Sequence, residues 1–123
     1  MTTDNYDTIS KLSPKDRYDY FINKIADNQE LWTLIDPDGV FALFEVNNTT
    51  VISLWCDEAH IESNLTPDWA DCIPFKLDID ALQDILIPIV RQNNYGINVF
   101  PVDSRIGYVI TLSEFVIDIN RYF

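Results

Sequence analysis

Asp36-Pro37-Asp38-Gly39 separates two apolar runs, Leu31 to Ile35 and Val40 to Val46, and no other stretch constrains the fold as tightly. Proline presets φ for the second position of a turn and glycine accepts positive φ, so the chain must reverse here. Asn47-Asn48-Thr49 marks a second reversal before Thr50 to Cys56. Three β-rich runs with such short connections predict an antiparallel βββ meander.

Helices are expected on both sides of it. Ser13 is a capping residue, Pro14 suits the first helical position and Asp16 favours the helix dipole. Tyr18, Phe21, Ile22 and Ile25 then form one apolar stripe, with Arg17 and Lys24 expected opposite, which predicts a helix over about 14 to 27. After the meander, Asp57 can cap a short helix pinned by Ile61 and Leu65. Cys72 to Leu77 alternates and carries Pro74, the mark of an edge strand. Asp78 caps a helix to about Gln92 with Leu82, Ile85, Leu86, Ile89 and Val90 inward, and Pro88 is expected to kink it or loosen its last turn. Strands follow at 97–102 and 107–111, and Thr111-Leu-Ser-Glu114 is a capping box for a last helix carrying Phe115, Val116, Ile119 and Tyr122. The reading is an α+β fold, antiparallel sheets with an N-terminal helix, in the order α-β-β-β-α-β-α-β-β-α. Residues 1–12 are expected to be a flexible arm and 13–123 one domain, since 123 residues with 47% apolar content suffice for a single core.

Charge narrows function further. Twenty acids oppose eight Lys and Arg, for a net charge of -12. Between Lys24 and Lys76 there is no base other than His60, yet ten acids: Asp27, Glu30, Asp36, Asp38, Glu45, Asp57, Glu58, Glu62, Asp68 and Asp71. Nucleic acids and anionic membranes require a basic surface, so neither is expected as a partner. The acids either keep a small protein soluble or meet a basic protein whose approach they accelerate. Trp69, in a loop amid Asp68 and Asp71, either covers the core edge or anchors a partner.

Catalytic patterns are sparse. Gly-rich phosphate loops, Gly-x-Ser-x-Gly, His-Glu-x-x-His and Cys-x-x-Cys are absent. His60 sits near Asp57, Glu58 and Glu62, which favours an imidazolium on a charged surface. Surrounding acids disfavour a Cys56 thiolate, so a Cys56–His60 nucleophile is not expected. Cys56, Cys72 and His60 fall short of a zinc ligand set. No cofactor or metal is expected, and the chain reads as non-catalytic. The first residues lack the basic start and apolar core of a secretory leader, so a cytoplasmic location is expected.

Arg17-Tyr-Asp-Tyr-Phe21, Trp32 ahead of Asp36-Pro-Asp-Gly39, Ala42-Leu43-Phe44, Val51 to Trp55, Trp69-Ala-Asp-Cys72, Leu82 to Pro88 and Val99-Phe100-Pro101 together resemble a bacterial family of small proteins, domain of unknown function 2750. The resemblance spans about 14 to 122 and implies a compact bacterial cytosolic domain without an established activity. The acidic centre and the N-terminal arm depart from the family pattern.

The expected function is therefore binding: an immunity protein that neutralises a cognate basic bacterial toxin, a nuclease for example, through Asp57, Glu58, Glu62, Asp68, Trp69 and Asp71. The alternative is an intracellular adaptor or regulator, with a homodimer through the Pro74 edge or a sheet face left open. An enzyme with a carboxylate site is the weakest reading.

Overall fold

Ser13 opens the first helix as its sequence dictates: its Oγ accepts from the Asp16 amide at 3.2 Å, with Pro14 in the first turn. A computed structural model of the chain describes residues 9, 11–62, 71–102 and 107–121. The helix α1 (Pro14–Asn28) ends at Gln29 in the left-handed conformation. There follow β1 (Glu30–Ile35), β2 (Leu43–Val46), β3 (Thr49–Leu54), α2 (Glu58–Glu62) and β4 (Ile73–Asp78). Next comes α3, made of consecutive segments Ile79–Ala81, Leu82–Leu86 and Ile87–Asn93, and then β5 (Gly96–Val99), β6 (Tyr108–Ile110) and α4 (Leu112–Asn120). The order is the α-β-β-β-α-β-α-β-β-α expected, and the fold is α+β.

The strands make two sheets. β1 and β4 pair antiparallel, and a four-stranded sheet runs β2-β3-β5-β6 with β3 and β5 parallel. Asn47 and Asn48, both with positive φ, form the two-residue hairpin between β2 and β3. The meander is looser than expected at its first turn. β1 meets the start of β2 only through the isolated bridge Ile35–Phe41, because its ladder is made with β4. A second bridge, Trp32–Trp55, and a 2.8 Å hydrogen bond from the Thr33 hydroxyl to the Ser53 carbonyl tie the two sheets together.

Between and around them lies one core, in which Phe21, Leu31, Leu54, Trp55, Phe100 and Phe115 are all buried. Burying each such side chain contributes about 1.5–3 kcal/mol. Trp55 keeps its indole N–H satisfied by donating to the Pro101 carbonyl at 3.0 Å. Ile9, within the segment expected as an arm, also lies in this core.

Three local expectations need correction. Arg17 is not on the solvent side of α1. It is only 1% exposed, donating from Nε to the Phe100 carbonyl (3.1 Å) and from Nη1 to the Leu12 carbonyl (2.6 Å). Two carbonyls converge on the guanidinium and make the buried charge tolerable. Pro88 disturbs α3 ahead of itself rather than in the last turn. Its ring would press on the carbonyl four residues earlier, and the turn before it widens into a π segment, Leu82–Leu86, whose end is marked by the Ile87 amide donating to Leu82. The widened turn leaves Ile85, expected inward, 46% exposed. Finally, β5 stops at Val99 because Phe100 adopts positive φ.

The termini of the later helices follow the sequence. Asp78 accepts from the Ala81 amide at 2.8 Å, and Thr111 accepts from the Glu114 amide at 3.3 Å. Phe115 and Ile119 are buried on α4, Val116 is half-buried, and Tyr122 is outside the described residues.

Candidate protein-binding surface

The acidic interval contributes first to local structure. Asp36 shapes the first turn, its Oδ1 accepting from the amides of Asp38 (2.9 Å) and Val40 (3.0 Å), while Gly39 takes φ of 80°. Asp57 precedes α2, where its Oδ1 accepts from the Ala59 amide at 3.0 Å. A carboxylate there satisfies an otherwise orphaned donor and favours the positive end of the helix.

Of the six residues expected to meet a partner, Asp57 and Glu58 are exposed at the start of α2, which packs against β4. Asp71 is exposed just before β4, Glu62 closes α2, and Asp68 and Trp69 lie outside the described residues. The fold does bring Asp71 toward Asp36, since Ile35 and Ile73 are cross-strand partners. Both acids act on Cys72: burial, then Asp36, then Asp71 push its half-buried thiol above the usual range. That suppresses thiolate and with it nucleophilic character.

His60 departs from expectation. It is buried rather than displayed on a charged surface, its ring 5.0 Å from that of Phe100. Ile61, fully buried beside it in sequence, anchors α2 inward and takes the imidazole along. Cys56 is a buried thiol. Among the described residues, no group of three His, Cys, Asp or Glu is placed to hold a metal ion. Among them, too, no helix is long and apolar enough to cross a membrane.

A feature the sequence reading missed lies beside the first turn. Val40, Phe41 and Leu43 from the β1–β2 connection and β2, Phe75 from β4, and Ile85 and Ile89 from α3 line an open groove of about 370 Å³. Val40 is 57% exposed, Leu43 41% and Phe75 38%, values unusual for so many large apolar side chains in one place. Ile73, two residues from Phe75 on the same strand face, continues the apolar strip at 58% exposure. The available signal was surplus: Val40 to Phe44 is an unbroken apolar run, more than a strand needs to bury one face.

Elsewhere, Tyr18, Tyr108 and Asp118 form a compact cluster. The Tyr18 hydroxyl donates to Asp118 Oδ2 at 2.6 Å, its ring lies 4.9 Å from that of Tyr108, and the Lys15 ammonium sits over both rings. The phenol is pushed well above the usual range by burial and then by Asp118. It is held as a neutral donor, and it locks α1 to α4.

Residues 18–119, from this tyrosine to the last buried residue of α4, match the family described as protein of unknown function (DUF2750). The chain belongs to the DUF2750 family. The match runs through both sheets, the acidic turn and the groove, and bears out the resemblance carried by the helix and strand motifs. No curated protein is significantly similar in sequence.

Proposed function

We propose that the chain is a non-catalytic binding protein that takes a basic protein as its partner. In its most specific form it is a cytoplasmic bacterial immunity protein that covers the basic cleft of a cognate toxin. The reading is carried by one observation: Asp36 and Asp71, distant in sequence, stand close enough to act together on Cys72, at the same end of the β1–β4 sheet as exposed Asp38. Acids gathered at one end of a sheet attract a cationic surface from beyond contact range and orient it. Toxins that cleave nucleic acid must hold phosphate and so present such a surface.

Capture of partners from the native host, followed by association kinetics, tests the reading. Simultaneous Asp57→Lys, Glu58→Lys and Asp71→Lys substitution should slow association with the captured basic protein and flatten its salt dependence. An unchanged rate and salt slope would remove the acidic surface from the interface, and a partner without basic character would end the reading itself.

The alternative, an intracellular adaptor or regulator, draws support from the apolar groove, which an inhibitor acting by charge alone does not require. Capture of a metabolic or secretory assembly in place of a single toxin would favour it.

A further inference from the structure

The two sheets have four edge strands; β1 is partly covered by its bridges to Trp55 and Phe41, and β4, β2 and β6 are protected to different degrees. In β4, Pro74 supplies no amide hydrogen and Lys76 adds a charge, two devices that block pairing with another chain. β6 is only three residues long. β2 has neither proline nor lysine, and its Leu43 and Phe44 are both exposed.

The hairpin geometry fixes which backbone groups of β2 face outward. A two-residue loop closes on a hydrogen-bonded pair, here Val46 with Thr49. Alternation along an antiparallel ladder then turns the Phe44 groups toward β3 and the amides and carbonyls of Leu43 and Glu45 away from it. Those outward groups flank the apolar groove, because Leu43 is part of its wall.

The charge around the groove selects the occupant. Asp38 adjoins Gly39 at one end of the lining, Asp84 adjoins Ile85 on α3, and Glu45 shares the β2 face of Leu43; all three carboxylates are exposed. A second copy of the chain would bring another net charge of -12 to this rim. A neutral strand would fill the apolar floor and leave the carboxylates unanswered.

We propose that the groove and the edge of β2, unpaired among the described residues, bind an extended segment of a partner protein that carries apolar residues flanked by lysine or arginine on one strand face. The segment adds a strand beside β2 through Leu43 and Glu45. Its side chains on the Leu43 face, projecting every second residue, place apolar groups between Val40, Phe75 and Ile85 and set cations on that same face at the rim, where Asp38, Glu45 and Asp84 stand. This rests on the reading of the chain as a binder of basic proteins and names the form its ligand takes.

The test is selection from a displayed library of random peptides on the full-length chain. Selected peptides should carry apolar and basic residues at every-second-residue spacing on one face and confer hydrogen-exchange protection on the Leu43 and Glu45 amides. They should bind about tenfold or more weakly to Leu43→Lys and to Ile85→Lys, substitutions at exposed positions whose folding is verified by circular dichroism. Failure to select any binder overturns the proposal, as do binders without basic residues, binders that leave those amides unprotected, and binders indifferent to both substitutions. A free chain that is dimeric by light scattering and becomes monomeric on Leu43→Lys overturns it in favour of a second copy. Binders weakened by the Asp57, Glu58 and Asp71 reversals and not by Leu43→Lys overturn the groove while leaving the broader reading standing, since that reading falls only with the partner captured from the host.

Discussion

Arg17, on the first helix, donates from Nε to the main-chain carbonyl of Phe100 across 3.1 Å of buried interior. Its Nη1 reaches the Leu12 carbonyl at 2.6 Å, so one guanidinium joins the entry to α1 with the residue that ends β5. Phe100 pays for its positive φ in local energy, and the charge-assisted hydrogen bond helps to hold it there.

Replacing that guanidinium with a thioether should expose its worth. Arg17→Met retains much of the apolar stem but removes the donors to both carbonyls. Unfolding in urea should show a loss of about 2–4 kcal/mol, the range for leaving buried polar groups unmatched. Arg17→Lys should recover only part of it, because an ammonium cannot span both carbonyls as the planar fork does. A loss below about 0.5 kcal/mol for the methionine variant would mean that the carbonyls find other partners.

The Tyr18–Asp118 hydrogen bond makes a pH-dependent prediction. The folded-state pKa of Tyr18 lies above its unfolded value, so the stabilisation is fully present below about pH 10, the ordinary tyrosine value, and is lost as pH rises beyond it. Stability measured by urea titration should therefore fall more steeply with alkaline pH in the parent than in Tyr18→Phe. Equal slopes would contradict a buried neutral phenol.

Gly107 offers the sharpest steric test. A β-carbon there would overlap the Val99 carbonyl oxygen and lie 2.8 Å from the Pro101 nitrogen, both main-chain atoms. Its own amide donates to Asn98 Oδ1 at 2.9 Å, holding the close approach in place. Gly107→Ala should cost more than about 2 kcal/mol and lower the thermal midpoint by several degrees. Gly39→Ala meets no atom within 4 Å and should lose only about 1 kcal/mol, through its φ of 80°.

Cys72 reports on the meeting of Asp36 and Asp71. Because burial and the two carboxylates raise its pKa, alkylation near neutral pH should be slow, and the rate profile should rise above the ordinary thiol midpoint. Asp71→Asn should shift that profile to lower pH. A profile that does not move would separate the two acids.

What was legible in the sequence was what neighbours in sequence decide. Ser13, Asp78 and Thr111 cap helices with their own side chains, and Pro74 demands an edge, so element types and order could be read directly. Pairing is different. Nothing in Leu31 to Ile35 says that its ladder is made with Ile73 to Asp78 rather than across the adjacent turn. Arg17 misled because helical periodicity sorts residues by polarity and is blind to two distant carbonyls converging on a charge. Ile85 misled because the wider turn ahead of Pro88 changes which way a residue points. The same limits govern the candidate site: the excess of acids was visible as composition, while Val40, Ile73 and Phe75 were legible only as apolar residues in or beside strands, and it is the fold that leaves them in solvent.

The alternation of the strands between the sheets has a consequence for how the chain acquires its structure. One sheet takes β1 and β4, and the other takes β2 and β3 from before β4 and β5 and β6 from after it. Severing the chain anywhere between β1 and β5 leaves at least one sheet missing a strand, so fragments should not fold alone. The parallel β3–β5 contact encloses α2, β4 and α3 within a single long closure. Such non-local closures slow the search for the native state, and folding is expected to be a single cooperative step, slower than that of a helical bundle of the same length.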